Sequence, residues 1–350
     1  MYSFSYSQVR SFLSCELKWY FDKVEGIRRI STKRAPDLGS VIHEGIAAMI
    51  RQEDAKAAID AWVKTKYEAL EPHFSDLPQL EEDWAEVEQQ INDHALVVCE
   101  RWREWINLDQ WETIVHPEFG PLVERRAIHT ESELSNPHGF AFEFPWITDW
   151  VAQDKVTGLI WVIDWKTKSA FDDDDNHQRN LQKMVYQYLL LHDMDIEVSG
   201  SRIAQIRSKA PSVPSLLKPK KDGSRAMSRA AIATDWATYK AALLAADLDP
   251  VDYEDMKIKM KPEDYWFKWQ SAFRTEQQCE NAWYQIILPA INRMRLMYED
   301  KLQPNRNLGS MDCGTMCNMQ MPCLETLAGR DLDNVISFGY ERKEKTNEPA

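Results

Sequence analysis

The sequence predicts an α/β fold, on three observations. Two apolar, β-rich runs, 142–152 and 158–167, flank a polar turn at 153–157, the pattern of a hairpin. A helical segment carrying Gln182 and Tyr186 follows directly. Long stretches with apolar residues at helical spacing, 54–70, 80–108 and 275–302, supply further helices.

Composition narrows the class. With 350 residues the chain is long enough for a large core, in one elaborated domain or two. Low-complexity sequence is nearly absent and Trp is plentiful, as in globular proteins. The net charge of −14 excludes a generally basic surface but leaves room for a local basic groove. No apolar run approaches a membrane span. The opening MYSFSYSQVR lacks the apolar core of a signal peptide, so a cytoplasmic, reducing compartment is expected. There, six cysteines suggest metal or free thiols before disulfides.

Taken in order, Ser5 or Ser7 caps a first helix running to about Phe21. Its Cys15 lies among Leu13, Trp19, Tyr20 and Phe21 and alone reads as a small buried residue. Pro36 and Asp37 begin a second helix, with Gly39 and His43 one turn apart. His43 by itself reads as a helix histidine satisfied by backbone or water. The helices 54–70 and 80–108 form an insertion, with Trp62, Tyr67, Trp84, Val87, Ile91, Leu96, Trp102 and Trp105 on their apolar stripes. Packing is the ordinary use of such stripes; lining a channel is the alternative. Residues 122–128 read as a strand carrying Glu124 beside Arg125 and Arg126.

Asp172–Asp175 supply capping charge to the next helix, or a second metal site. Residues 201–208 read as a strand. The loop 209–229 is the most basic stretch, with Lys209, Lys218, Lys220, Lys221, Arg225 and Arg229. Phosphate contacts and a solubilising loop are its two readings. Residues 234–247 are helical, 252–261 a strand or turn-rich piece, 275–302 a long helix, and 331–350 a short strand and charged tail. Cys99 and Cys279 fall inside helices as core residues.

The hairpin places chemistry on one face. If Ala152 faces Leu159, Asp149 faces Val162, and Asp164 lies diagonally from Asp149 with Lys166 two residues on. Diagonal neighbours are about 7–8 Å apart, so the carboxylates could clasp one hard cation. The lysine could then hold or activate a water. A one-residue slip in register would destroy this arrangement. On the following helix Gln182 and Tyr186, four apart, share a face.

An acidic residue on one strand, D-x-K at Asp164–Lys166 on the next and Q-x-x-x-Y at Gln182–Tyr186 resemble the RecB-like branch of the PD-(D/E)XK nuclease superfamily. G-x-x-x-H at Gly39–His43 is similar to the motif that precedes the catalytic strands there. The resemblance implies a restriction-endonuclease-like core, a mixed central sheet flanked by helices, within a single elaborated domain. Its parts would be a helical insertion (50–110), a catalytic core (111–210), a basic loop and helical region (211–302), and a C-terminal region (303–350) packing on the first helix.

It further implies Mg²⁺- or Mn²⁺-dependent hydrolysis of DNA, by an exonuclease of recombination, repair or phage replication. His43, Asp149, Asp164 and the Trp165 carbonyl would hold the ion. Lys166 would orient water or stabilise developing charge, and Gln182 and Tyr186 would fix the lysine and a phosphate. Glu124 sits where relatives carry an additional acidic residue, which makes it a candidate to hold the metal or support its ligands; a surface salt bridge with Arg125 or Arg126 is the alternative. Two departures stand out: Trp146 replaces a glycine three residues before Asp149, and Glu16 replaces a proline after Cys15. The implied partners are DNA and a helicase or recombination protein, since the chain has no helicase motif. If the chain is phage-encoded, its cytoplasm is the host's.

Cys313, Cys317 and Cys323 form C-x3-C-x5-C in a loop able to wrap an ion, with no fourth ligand nearby. Spacing alone leaves iron–sulfur, zinc (Zn²⁺) and unmetallated thiols open. The same resemblance, to AddB-like and CRISPR-associated four-cysteine nucleases, implies that Cys15 completes a [4Fe–4S] cluster stapling the two chain ends. Two other functions stay open: a degenerate core that grips DNA ends or a partner, and a zinc-stapled structural protein.

Overall fold

Strand alternation and helix caps build a mixed sheet with a helical layer on each face. The computed structural model describes residues 1–29, 34–75, 78–171, 177–219, 225–307, 313 and 317–343. Seven strands make the central sheet: β1 (Tyr2–Ser3), β2 (Trp111–Thr113), β3 (Val123–Glu131), β4 (Phe142–Asp154), β5 (Ile160–Lys168), β6 (Gly200–Arg207) and β7 (Phe267–Phe273). The long strand β4 pairs along one edge with β1 at Phe142–Glu143 and with β5 at Trp150–Gln153, from which β6 and β7 follow, and along its other edge with β3 and β2. The pairs β1–β4 and β5–β6 are parallel and the rest antiparallel. This is the expected mixed α/β architecture.

Helices α1 (Tyr6–Ser14), α2 (Glu16–Lys23), α3 (Arg34–Ile50), α4 (Ala55–Leu70), α5 (Pro78–Trp105) and α6 (Leu181–Met194) surround the sheet. One core joins α1, α6 and Leu288–Tyr298 to Phe142, Phe144, Trp146, Val151 and Val162. The other joins α3 and α5 to Trp150, Ala152, Trp161, Ile163 and Trp165. The insertion stripes are therefore largely core: Trp84, Val87, Ile91 and Trp102 are buried there. Helix α6 is the crossover between parallel strands β5 and β6, capped by Asn180, whose side chain accepts the Lys183 N–H.

Several expectations need correction. The first helix is two: Ser5 caps α1, but Cys15 is extended (φ −162°, ψ 113°) and breaks the run. The hairpin register also differs, because Ala152 pairs with Trp161 rather than Leu159. The turn lies further on: Asp154 N–H donates to the Leu159 carbonyl, and Gly158 takes the left-handed φ of +74° that closes it. The slip is two residues, so every side chain keeps its face. Strand β7 stands in a segment with no expected element. Of the two readings for 252–261 the turn-rich one holds and the strand does not, since Pro250–Lys259 is 3₁₀-helical. The long helix contains a π-helical turn, Trp283–Ile287, between Glu276–Ala282 and Leu288–Tyr298.

The stretch 211–262 carries a small core of its own, with Met227, Tyr239, Leu243, Tyr253 and Met256. Within the basic loop, Arg229 is held by Asp255 at 2.6 Å and by the Asp252 carbonyl at 2.6 Å, which makes it an anchor. Lys220, Lys221 and the run Asp172–Asp175 lie outside the described residues. Among the described residues, no helix is long and apolar enough to cross a membrane.

Candidate active site

The site forms where strict alternation fails. Phe142, Phe144 and Trp146 belong to one core, and Trp150 and Ala152, also even-numbered, to the other. On the paired strand Ala127 and Val123 change sides likewise. Between them Glu124 takes φ 47°, uncommon for a residue with a side chain. Such irregularities re-aim side chains. Here they accompany the convergence of carboxylates from β3 and β4 on a histidine from α3.

His43, Glu124 and Asp149 each offer a ligand atom, all within 4.8 Å of one another. His43 Nδ1 is 4.0 Å from Glu124 Oε1. Asp149 Oδ2 accepts the Trp165 N–H at 3.4 Å, and His43 is hydrogen-bonded to the Trp165 backbone. The Trp165 peptide thus lies between two of the converging side chains. Burial lowers His43 to a pKa of about 4, so its imidazole is neutral at pH 7. Burial, then the negative charges of Glu44 and Asp164, pushes Glu124 up to about 7. Burial and Asp164 raise Asp149 well above the usual carboxylate range. Carboxylates crowded without a counter-ion resist ionising together.

Asp164 faces two lysines. It is 1% exposed. Lys183 Nζ lies 2.6 Å from its Oδ1, and Lys166 Nζ 3.0 Å from both oxygens. Burial would raise Asp164, but Lys166 and Lys183 outweigh it and hold the group ionised. Burial likewise opposes the charge on Lys166, and Asp164 and Asp149 outweigh it. One buried carboxylate oxygen, Glu124 Oε1, has no hydrogen-bond donor, and Asp164 Oδ2 has no well-directed one, its near neighbour being the Lys166 ammonium at 3.0 Å. Orphaned buried acceptors are costly, and a hard cation satisfies them.

The Q-x-x-x-Y pair meets as expected, with Gln182 Nε2 donating to the Tyr186 hydroxyl at 3.1 Å. Burial pushes Tyr186 up to about 12. Trp146 packs on Tyr186, ring centroids 5.9 Å apart, and its indole N–H donates to Asp193 at 3.1 Å. The bulky residue in the glycine position thus braces Tyr186. Gly39 has its own reason: a Cβ there would come within 2.9 Å of Thr167 Oγ1, so its absence lets α3 lie against the D-x-K strand. Sequence reading missed Lys183 and gave Glu124 only a peripheral place. An isolated lysine in the apolar run of α6 was the one available signal for Lys183.

At the far end of α1, Cys15, Cys313, Cys317 and Cys323 line one cavity of about 100 Å³ with Lys18 and Arg306. Burial, then neighbouring Cys317, Cys323 and Cys15, raises the Cys313 thiol. Arg306 donates to the Cys323 carbonyl at 3.0 Å and Sγ at 3.4 Å. The break at Cys15 leaves its thiol beside a small core of Leu17, Phe21, Ile27, Met319, Val335 and Tyr340. Ile27–Arg29 pairs there with Tyr340–Arg342, which joins the two ends of the described chain. Glu16, in the place of the relatives' proline, holds Arg293 at 2.8 Å and the Asn305 N–H at 2.9 Å.

No curated protein matches the chain. A family model does, the PD-(D/E)XK nuclease superfamily, over residues 3–323, which takes in the sheet, the carboxylate–lysine site and all four clustered cysteines. Spanning most of its length, that match shows that the chain belongs to the PD-(D/E)XK nuclease superfamily.

Proposed function

We propose that the chain is a divalent-metal-dependent DNA exonuclease of the RecB/AddB-like kind, acting in recombination, repair or phage DNA processing. The observation that carries this reading is the convergence of His43, Glu124 and Asp149 beside Asp164 and Lys166, with the buried Glu124 Oε1 left without a donor. Neutral imidazole and carboxylate oxygens suit Mn²⁺ and are compatible with Mg²⁺. His43, Glu124, Asp149, Asp164 Oδ2 and the Trp165 carbonyl are the groups that would hold the ion. When bound, it polarises the scissile phosphate and lowers the pKa of water.

The chain's own residues do the rest. Lys166 is 39% exposed at its side chain and stays protonated, so it acts as a fixed positive donor toward the phosphate or attacking water. General-base action would need a depressed lysine pKa, and the shift runs the other way. Tyr186 and Gln182, locked together and braced by Trp146, orient the lysine and a backbone phosphate. The four cysteines suit a [4Fe–4S] cluster, whose role would be to hold the chain ends together. A helicase or recombination protein in the same cytoplasm would supply unwinding.

The test is cleavage of an end-labelled linear duplex and a closed circle, with Mg²⁺, Mn²⁺ or chelator. Metal-dependent loss of the linear substrate with the circle intact is expected. Lys166→Ala should abolish cleavage and leave the circular dichroism spectrum unchanged. Full activity in that variant, or binding of ends without cleavage by the native chain, contradicts the reading.

A further inference from the structure

The D-x-K strand accounts for one lysine, but Asp164 has two. Lys183 comes from α6, where its side chain is 1% exposed, as is that of Asp164. Its Nζ sits 2.6 Å from Asp164 Oδ1 and 5.4 Å from the Tyr186 ring centre. Lys166 sits 3.0 Å from both oxygens, makes its directed hydrogen bond to Oδ1, and keeps a partly open side chain. The two lysines are therefore inequivalent: one is enclosed, the other has solvent beside it. A buried carboxylate left without any counter-ion is strongly destabilised, so the metal-free site needs a lysine on Asp164.

We propose that Lys183 is a positioning residue, the permanent counter-ion of Asp164, and that its grip on Oδ1 releases Lys166 to act on substrate. This deepens the nuclease reading and rests on it. Lys183 takes Oδ1, so the oxygen a metal would take is Oδ2, which Lys166 now neighbours at 3.0 Å. A metal at Oδ2 would stand beside Lys166 Nζ, 3.0 Å from that oxygen, and repel it toward the open side of the site, while Lys183, enclosed on Oδ1, would stay. Without Lys183, Lys166 would be the one cation left on the buried carboxylate and would be held there. The helix that carries Gln182 and Tyr186 thus adds a third function through the residue between them.

Two measurements test this. The first compares Lys183→Met with the native chain, by cleavage kinetics and by Mn²⁺ binding to DNA-free protein. Expected are a fall in kcat of about tenfold or more, a KM for DNA within about twofold, and Mn²⁺ binding several-fold tighter, because a nearby cation is gone. A purely structural lysine would weaken metal binding together with activity, and that result, or undiminished kcat, overturns the proposal.

The second needs no variant and so survives a failure of Lys183→Met to fold. It follows acylation of each lysine of the native chain by mass spectrometry, with and without Mn²⁺. Lys183 should stay protected in both states while Lys166 becomes several-fold more reactive with metal. Release of Lys183 instead, or no change at Lys166 in a chain that cleaves DNA, overturns the role of Lys183 alone. A native chain that neither responds to Mn²⁺ nor cleaves overturns the metal site and this proposal together.

Discussion

Glu124 is the residue on which sequence and structure differ most usefully. Its left-handed backbone brings a carboxylate from β3 toward His43 and Asp149, and burial with Glu44 and Asp164 holds its proton to about pH 7. A cation at this site must displace that proton, so Mn²⁺ affinity should fall as pH drops below about 7. Calorimetry in buffers of different ionisation enthalpy would detect proton uptake by buffer as metal binds; binding without proton release contradicts the assignment. Glu124→Gln keeps the shape and removes the repulsion. The metal-free chain should gain about 1 kcal/mol or more in thermal unfolding at pH 8 while Mn²⁺ affinity drops at least tenfold.

Asp149, Asp164 and Lys166 were legible because period-two alternation puts them on one face in any register that slips by an even number. Glu124 was legible only through the family resemblance, since its approach depends on a backbone irregularity that no residue type announces. Lys183 was not, since helix periodicity places it on α6 but cannot say that a buried carboxylate waits opposite.

At the scale of elements, the site depends on how closely α3 lies on the D-x-K strand. Gly39 has ordinary backbone geometry, so Gly39→Ala would carry no backbone strain; its cost would come from the Cβ meeting Thr167 Oγ1 at 2.9 Å. Separating α3 from β5 should cost about 1–3 kcal/mol and lower cleavage about tenfold or more as His43 moves away from Asp149. Thermal unfolding and cleavage rates check this; unchanged values would mean that the helix has slack. The hairpin and its following helix were readable from apolar patterning and turn residues. Strand β7 was not: the alternation of Phe267, Lys268, Trp269 and Gln270 breaks at Ser271 and is short, and pairing with the neighbouring β6 sustains the strand. The break at Cys15 was hidden as well, because helical spacing continues across it while the backbone does not.

For the whole molecule, the ends of the described chain meet through a short strand pair, a small apolar core and the four-cysteine cavity, away from the carboxylates. A core that small gives limited stability, so a bound cluster would contribute heavily to this end of the fold. If the four cysteines hold the proposed [4Fe–4S] cluster, anaerobically purified native protein should contain iron and sulfide, and Cys15→Ser should lose them and unfold several degrees lower. Full iron content in Cys15→Ser would show that the fourth ligand lies elsewhere. The order of motifs along the chain was legible; that Glu16 and Arg306 support the cysteine end was not, because those contacts join residues far apart in sequence.

The most direct measurement is Mn²⁺-dependent hydrolysis of linear DNA by the native chain and by Asp149→Asn, followed across a metal titration. The structure predicts saturable, metal-dependent cleavage by the native chain and none by the variant, with both folded alike. Equal cleavage by the two, at equal metal concentration, would contradict the site.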